Sequence, residues 1–257
     1  MTEFLHLLGM PPVASEHGQG IDNLIGYVHL LMLALFIGWL GFFVLAVIKF
    51  SKGANPKADY VGVKGHMSTY LELGVAVVEA VLLIGLAVPL WARAVDRFPT
   101  KEENPIEIQV MAQQFSWNAH FTGPDGKFGK QDMQFANQTN PFGIDSNDAA
   151  SKDDVTTLSN EPFMLPVGKP VIARISSMDV IHCFKLTSMR VTQDAIPGMT
   201  IPVHFTPTKT GKYYITCAQL CGSAHSKMKG QFEVVEQAAY DKWYAEKAKA
   251  GGGASFE

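Results

Sequence analysis

Residues 217–228 read Cys217-Ala218-Gln219-Leu220-Cys221-Gly222-Ser223-Ala224-His225-Ser226-Lys227-Met228. Two cysteines, a histidine and a methionine are therefore crowded into one short stretch with the spacing C-x3-C-x3-H-x2-M. Thiolate, imidazole and thioether form a soft ligand set, which selects copper over calcium, magnesium or manganese. Runs typical of β-strands flank the stretch at 212–216 and 231–235. Because a sheet restrains both ends of such a loop, the stretch predicts a metal-binding loop held between two strands.

Two other interpretations of this stretch are a structural zinc site and a disulfide between Cys217 and Cys221. Zinc rarely takes methionine as a ligand, and a disulfide would leave the spacing of the histidine and the methionine unexplained.

One further ligand is expected from elsewhere, and His182 lies upstream in the strand-like run 179–184. A blue site with one copper needs one cysteine, two histidines and a weak methionine. The second cysteine lets two thiolates bridge two copper ions.

The third cysteine, Cys183, directly follows His182. Successive side chains of a strand point to opposite faces of the sheet, so Cys183 should point away from the metal. We predict that it is a small buried hydrophobic residue rather than a ligand. With the other two cysteines in the metal loop, no disulfide framework is expected.

These residues resemble subunit II of the haem-copper cytochrome c oxidases, the subunit that carries the dinuclear copper centre called CuA. The resemblance extends from about residue 23 to residue 243. It implies six copper ligands, namely the side chains of His182, Cys217, Cys221, His225 and Met228 and the backbone carbonyl of Gln219. It also implies a Greek-key β-sandwich of the cupredoxin type.

The resemblance further implies an electron-transfer subunit of a proton-pumping terminal oxidase, which makes and breaks no substrate bond itself. The haem and the oxygen-reducing centre would lie in subunit I, next to other oxidase subunits. The sequence has no C-x-x-C-H haem-attachment motif, so the expected electron donor is a separate c-type cytochrome. The alternative is the CuA subunit of a copper-containing nitric oxide reductase. A quinol oxidase subunit would lack the copper ligands, and nitrous oxide reductase would lack a membrane hairpin.

Composition and patterning predict a membrane hairpin joined to a β domain. The chain has 257 residues, is 47% hydrophobic and carries a net charge of −3, which suits one or two domains and argues against a nucleic-acid partner. We predict four segments: an external N-terminal arm at 1–22, a transmembrane helical hairpin at 23–95, a cupredoxin-like copper domain at 96–236 with an inserted loop at 123–161, and a helical tail at 237–257.

The apolar runs at 23–50 and 70–91 are the predicted spans. Twenty-eight residues of helix extend about 42 Å, enough to cross a bilayer with tilt. The segment between the spans carries Lys49, Lys52, Lys57 and Lys64 in or beside it, against a single Asp59. The positive-inside rule therefore predicts that this loop is cytoplasmic. Both termini and the copper domain would then lie on the periplasmic side of a bacterial inner membrane.

Two glutamates interrupt the second apolar run. Glu72 and Glu79 are seven residues apart, about two helical turns, and so share one face of the helix. A carboxylate within a membrane is costly and indicates function. By resemblance, Glu72 matches a family glutamate at the start of a proton-uptake route. Glu79 falls where relatives commonly have proline, which leaves either a proton relay or a protonated carboxyl bonded to subunit I.

Relatives commonly have glutamate at the position of Gln219, where its carboxylate binds magnesium at the subunit interface. An amide is a weaker ligand for a hard cation than a carboxylate. Asp194 matches a family position near that ion, and Asp179 is the other carboxylate expected beside the copper ligands. We predict that magnesium binding is weak or absent.

The run Gln114-Phe115-Ser116-Trp117-Asn118 resembles the aromatic run Q-W-Y-W of the family, whose first tryptophan receives the electron. Phenylalanine occupies that position here. On a strand, Phe115 and Trp117 would lie on the same face, so either could meet the donor. The other interpretation makes Trp117 a core residue and Phe115 an exposed packing contact.

Overall fold

The structure is a computed structural model that describes residues 7, 9–57, 60–62 and 64–251; Asp59 and the last six residues of the predicted tail lie outside these ranges. The chain divides into two units. One contains the helices between residues 20 and 93, and the other contains residues 11–19 together with the β domain from residue 94 onward.

The helical unit contains two helices that are long and apolar enough to cross a membrane. Helix α1 spans Gly18–Lys49, and the second span runs over Met67–Val95. The second consists of α2 (Met67–Ala80), a π-helical segment (Val81–Ala87) and α3 (Val88–Val95). Their apolar surfaces are exposed within the described structure, as expected of helices that face lipid. Helix α1 begins five residues before the predicted start at 23.

The π-helical segment lies immediately before Pro89. Proline has no N–H, and its ring clashes with the carbonyl four residues earlier, which here belongs to Gly85. The wider π turn changes this spacing, and the N–H of Val88 donates to the carbonyl of Leu83, five residues back. The span therefore continues through the proline.

The β unit is a sandwich of two five-stranded sheets with the strand orders β3-β2-β1-β5-β8 and β4-β10-β9-β6-β7. The strands are β1 (Ile106–Gln113), β2 (Ser116–Phe121), β3 (Val155–Thr157), β4 (Phe163–Pro166), β5 (Val171–Ser177), β6 (His182–Leu186), β7 (Val191–Ala195), β8 (Ile201–Phe205), β9 (Gly211–Cys217) and β10 (Lys229–Val235). Alternate residues of β1 are buried, as the period-two pattern predicts. The core between the sheets contains Val110, Ile175, Phe184 and Phe232. The predicted fold class is confirmed.

Residues 11–14 lack regular secondary structure, as predicted for the arm, and residues 11–17 pack on the β unit. Ala14 donates its N–H to the carbonyl of Ser188 at 2.8 Å and accepts from the N–H of Thr208 at 2.8 Å. The hydroxyl of Ser15 donates to the carbonyl of Met189 at 2.6 Å. These bonds satisfy the backbone of a buried segment that has little apolar patterning of its own.

The predicted insertion at 123–161 is also packed rather than simply solvated, and it supplies strand β3. Asp154 is buried and accepts three hydrogen bonds, from Nε2 of His120 at 2.7 Å, from the N–H of Gly123 at 2.9 Å and from the N–H of Gly129 at 2.8 Å. His120 is itself buried on β2. The Asp154 carboxylate therefore links Gly123 and Gly129, in the first part of the loop, to His120 on strand β2.

The tail forms helix α4 (Gln237–Gly251), which packs on the sandwich. The ring of Trp243 lies edge-on to Phe121 with centroids 5.5 Å apart. The hydroxyl of Tyr244 donates to the carbonyl of Thr122, and Lys247 pairs with Glu161. The helix is thus attached by its aromatic side chains to the end of β2.

Candidate metal centre

The predicted ligands come from three elements that meet at one end of the second sheet. His182 is the first residue of β6, and Cys217 is the last residue of β9. These strands are antiparallel neighbours, with Phe184 opposite Cys217, so His182 extends beside the loop that leaves β9. That loop carries Cys221 and His225 and ends at Met228, directly before β10. The sheet thus brings together residues that are 46 positions apart in sequence.

The donor atoms lie close to one another in pairs. The Sγ atoms of Cys217 and Cys221 are 3.8 Å apart, and Sγ of Cys217 lies 3.9 Å from Nδ1 of His182. Sγ of Cys221 lies 3.5 Å from Nδ1 of His225 and 3.8 Å from Sδ of Met228. The carbonyl oxygen of Gln219 lies 3.0 Å from Sγ of Cys217. Each thiol therefore has its own set of neighbouring donors.

The cysteines are not joined to each other. A disulfide requires sulfur atoms about 2.05 Å apart, whereas these are separated by 3.8 Å, and all three cysteines are free. Among the described residues, His182, Cys217 and Cys221 form a group whose ligand atoms all lie within 4.8 Å of one another. The disulfide interpretation of the loop is therefore wrong for this structure.

The predicted ligands differ in how far their side chains are buried. His182 is 0% exposed, Met228 1% and Cys221 4%, whereas Cys217 and His225 are half-buried and Gln219 is exposed. Burial, reinforced by the neighbouring Cys217, raises the pKa of the Cys221 thiol to about 11. Metal binding requires the thiolate, so a cation at this position must stabilise a charge that the buried site otherwise disfavours.

The ring of His182 is held by a carboxylate on its far side. Oδ1 of Asp179 lies 2.9 Å from Nε2 of His182, which leaves Nδ1 facing the thiols. Burial tends to raise the pKa of Asp179, but hydrogen bonds from His182 and from the N–H groups of Gln114 and Val180 together hold it below its usual value. The carboxylate is thus ionised and positioned to orient the ring, an arrangement common in metal-binding histidines.

Asp194 lies elsewhere. It pairs with Cys183 across β6 and β7, and burial together with a hydrogen bond to Asp194 raises the pKa of the Cys183 thiol to about 11. Cys183 is buried, and the described group of metal-binding side chains does not include it. Its neighbour is therefore a carboxylate on the other face of β6, in agreement with the alternation of a strand.

The donor set fits copper better than zinc or a hard cation. It offers two thiols that can be shared, two imidazole nitrogens, a thioether and a carbonyl oxygen, which is the soft combination that copper prefers. The buried thioether of Met228 has no place in ordinary zinc sites.

The family model described as cytochrome C oxidase subunit II, periplasmic domain, matches residues 106–235, about half of the chain. This chain belongs to the cytochrome c oxidase subunit II family. It is 31% identical over 233 residues to the alternative cytochrome c oxidase subunit 2 of Bradyrhizobium diazoefficiens, covering 90% of this chain and 81% of that protein. It is 27% identical over 244 residues to the probable cytochrome c oxidase subunit 2 of Rickettsia bellii, covering 94% and 84%.

Among solved structures, the periplasmic domain of subunit II of cytochrome oxidase (CoxB) of Bradyrhizobium japonicum is 28% identical. The match has a TM-score of 0.41 and covers 56% of this chain and 94% of that one.

Members of the subunit II family belong to haem-copper oxidase complexes and normally bind copper. The chain is accordingly a subunit of such an oxidoreductase.

The two aromatic residues predicted to meet the electron donor do not share a strand face. Gln113 pairs with Ser116, so Phe115 lies in the turn between β1 and β2, whereas Trp117 lies on β2. Trp117 is 3% exposed, and its ring lies edge-on to His182 with centroids 6.2 Å apart. Phe115 is half-buried, and two of its ring carbons approach Gly222 in the metal loop. Trp117 is therefore a core residue behind the site.

Both glutamates of the second span lie on α2, and both side chains are exposed within the described structure. Neither is near the metal loop in sequence.

Two residues at the site had no role predicted from the sequence. Leu220, between the cysteines, is 78% exposed, and Gln114 donates a hydrogen bond to the carbonyl of Cys221. Leu220 had a local signal, because a large apolar residue lies between the two cysteines; Gln114 appeared only as the first residue of the aromatic run, with no role of its own.

Proposed function

We propose that this chain holds a dinuclear copper centre and transfers electrons from a c-type cytochrome to the haem of oxidase subunit I. The observation that carries the proposal is the convergence of two free thiols with two imidazoles and a thioether. The proposed ligands are the side chains of His182, Cys217, Cys221, His225 and Met228 and the carbonyl of Gln219.

The bound copper pair would supply reversible one-electron chemistry, and the protein would hold its ligands in fixed positions. Strands β9 and β10 pair up to Lys229 and Thr216, one residue from the ligands at both ends of the loop. Asp179 holds His182 from the opposite side. Ligands held by a sheet and by hydrogen bonds move little when the charge at the centre changes, which favours fast electron transfer.

The half-buried side of the site is the proposed surface for the electron donor. Leu220, Ile181 and Val180 are exposed and lie within two residues of a proposed ligand in sequence, and Phe115 packs beside Gly222. The chain has a net charge of only −3, so steering of a basic cytochrome should be modest. Docking would then depend more on apolar contact than on charge.

The two spans give the proposed topology. The lysines around the loop between the helices favour a cytoplasmic loop, with the β unit on the periplasmic side of a bacterial inner membrane. The hairpin would pack against subunit I.

Glu72, near the start of α2 and thus at the cytoplasmic end, would take part in proton uptake. Glu72→Gln should lower steady-state turnover of the assembled oxidase, whereas unchanged turnover would contradict this role.

Magnesium is proposed to bind weakly or not at all. Gln219 offers an amide where relatives have a carboxylate, and the hydrogen bond between Asp194 and Cys183 occupies the second candidate. Stoichiometric magnesium or manganese that survives chelator during purification would contradict this.

The test uses the full-length chain purified in detergent, loaded with copper and analysed for metal content and optical and EPR spectra. The unmutated protein should bind two coppers and be reduced by a c-type cytochrome. Cys217→Ser or Cys221→Ser should leave at most one copper, while the control Cys183→Ala should keep both, because its thiol lies beside Asp194. In the assembled complex, reduction of nitric oxide instead of oxygen would favour the alternative reductase.

A further inference from the structure

The turn between β1 and β2 contacts both protein segments that carry the proposed ligands. Gln114 lies in this turn, directly after β1. Its side-chain Nε2 donates a hydrogen bond to the carbonyl of Cys221 at 2.6 Å. Its backbone N–H donates to Oδ2 of Asp179 at 2.7 Å. One residue is thus bonded to the metal loop and to the carboxylate behind His182.

The hydrogen bond from the backbone N–H of Gln114 acts on the metal site through Asp179. The two oxygens of that carboxylate have different partners, since Oδ2 accepts from Gln114 and Oδ1 lies 2.9 Å from Nε2 of His182. The backbone of Gln114 therefore restrains the orientation of the imidazole. Any residue other than proline at position 114 could preserve this bond, because it is made by the main-chain N–H.

The first bond depends on the glutamine side chain, and the loop is shaped to receive it. Gly222 follows Cys221 and has a φ of +138°, a conformation that residues with a side chain rarely adopt. A Cβ on Gly222 would lie 2.8 Å from Nε2 of Gln114 and 3.2 Å from two ring carbons of Phe115. The absence of a side chain at 222 is what lets the turn approach the loop so closely.

We propose that Gln114 is a positioning residue for the copper site, acting through the peptide group between Cys221 and Gly222. This inference rests on the proposed function. The amide holds the carbonyl of Cys221 in one orientation, which sets the direction in which the Cys221 side chain leaves the backbone. Sγ of Cys221 lies 3.5 Å from Nδ1 of His225 and 3.8 Å from Sδ of Met228, so its direction affects several donors together.

Loss of the amide leaves the carbonyl of Cys221 without its protein donor and lets this peptide rotate. The loop then samples conformations in which the thiolate is displaced from the other ligands, and copper dissociates faster. His182 is affected less, because the bond from the backbone of Gln114 to Asp179 persists. The effect is therefore expected on the Cys221 side of the site and not on the His182 side.

The experiment compares Gln114→Ala and Gln114→Glu with the unmutated full-length chain in detergent. Glutamate is close in size to glutamine, but its ionised carboxylate cannot donate to a carbonyl. Both variants should lose copper to an excess of chelator about tenfold faster than the unmutated chain, the lower end of the range for residues that support metal ligands. The control is Gln138→Ala, an exposed glutamine in the 123–161 loop, which should not change the rate.

The second readout is the set of paramagnetically shifted proton NMR signals of the copper-loaded chain. The β-proton signals of Cys221 should move in both variants, while the ring signals of His182 should stay nearly unchanged. A general loss of folding would move both sets, so this pattern separates positioning from destabilisation.

Two outcomes overturn the inference. Unchanged copper loss and unchanged Cys221 signals in the variants would overturn it alone and leave the proposed function standing. Binding of fewer than two coppers by the unmutated chain would overturn the proposed function, and this inference with it.

Discussion

Oδ1 of Asp179 lies 2.9 Å from Nε2 of His182, and Nδ1 of the same ring faces Sγ of Cys217 at 3.9 Å. The carboxylate thus determines which ring nitrogen carries the proton and which is available as a ligand. Because the side chain of His182 is wholly buried, water cannot replace this partner easily.

Asp179→Asn should therefore weaken copper binding by about 10- to 100-fold, the usual cost of losing the partner of a metal-binding histidine. The amide can present its NH2 group to the ring and favour the wrong tautomer. The measurement is competition for copper against a chelator of known affinity. Asp194→Asn is the control, since Asp194 contacts Cys183 instead, and equal affinities for the unmutated chain and Asp179→Asn would refute the assignment.

Asp154→Ala should destabilise the β unit strongly. The substitution removes the acceptor of three buried hydrogen bonds, from His120, Gly123 and Gly129. Each buried donor left without a partner costs about 1–3 kcal/mol, so a loss of roughly 3 kcal/mol or more is expected. Thermal unfolding of the full chain measures it, with Asp125→Ala in an exposed turn as the control. A melting temperature equal to that of the control would argue against this role.

Stability should fall as the pH drops below about 6.5, and two histidines should contribute to the fall. Burial, reinforced by the nearby His204, lowers the pKa of His17, and burial lowers the pKa of His204. The unfolded chain then binds more protons than the folded chain below pH 6.5, so protonation favours unfolding. The stability from these neutral histidines is present above that pH and is lost as the pH falls through their lowered pKa values.

The measurement is the melting temperature of the full chain between neutral and mildly acidic pH. His204→Gln should flatten the dependence, whereas His66→Gln, at an exposed position before α2, should not. Identical slopes for the unmutated chain and His204→Gln would contradict the assignment.

Phe115 and Trp117 should respond differently to truncation. Phe115→Ala removes a half-buried ring beside Gly222 and should slow oxidation of a c-type cytochrome without loss of copper. Trp117→Ala opens a cavity in the core beside His182 and should destabilise the fold by about 3–5 kcal/mol. Stopped-flow oxidation and thermal unfolding separate these effects, and an unaltered rate for Phe115→Ala would place donor contact elsewhere on the surface.

The sequence predicted the cluster of donor side chains better than the residues that support it, for a physical reason. Cys217, Cys221, His225 and Met228 share one short loop, so their spacing alone requires them to be close. Gln114 and Cys221 are 107 residues apart, and no periodic pattern marks a contact made by a turn. The shared face predicted for Phe115 and Trp117 failed because the strand ends at Gln113.

Other parts of the fold had too little local signal. Strand β3 has only three residues, too few to show alternation, so it was absorbed into the predicted insertion. Residues 11–17 pack through backbone hydrogen bonds to distant loops, which composition does not reveal. The two spans had long, regular apolar patterns and were predicted correctly in type.

The most direct test of the account is the copper content and EPR spectrum of the unmutated full-length chain. We expect two coppers per chain and a hyperfine pattern from one unpaired electron shared equally by two copper nuclei, because two thiols lie 3.8 Å apart with separate neighbouring donors. One copper per chain, with the hyperfine pattern of a single nucleus, would contradict it.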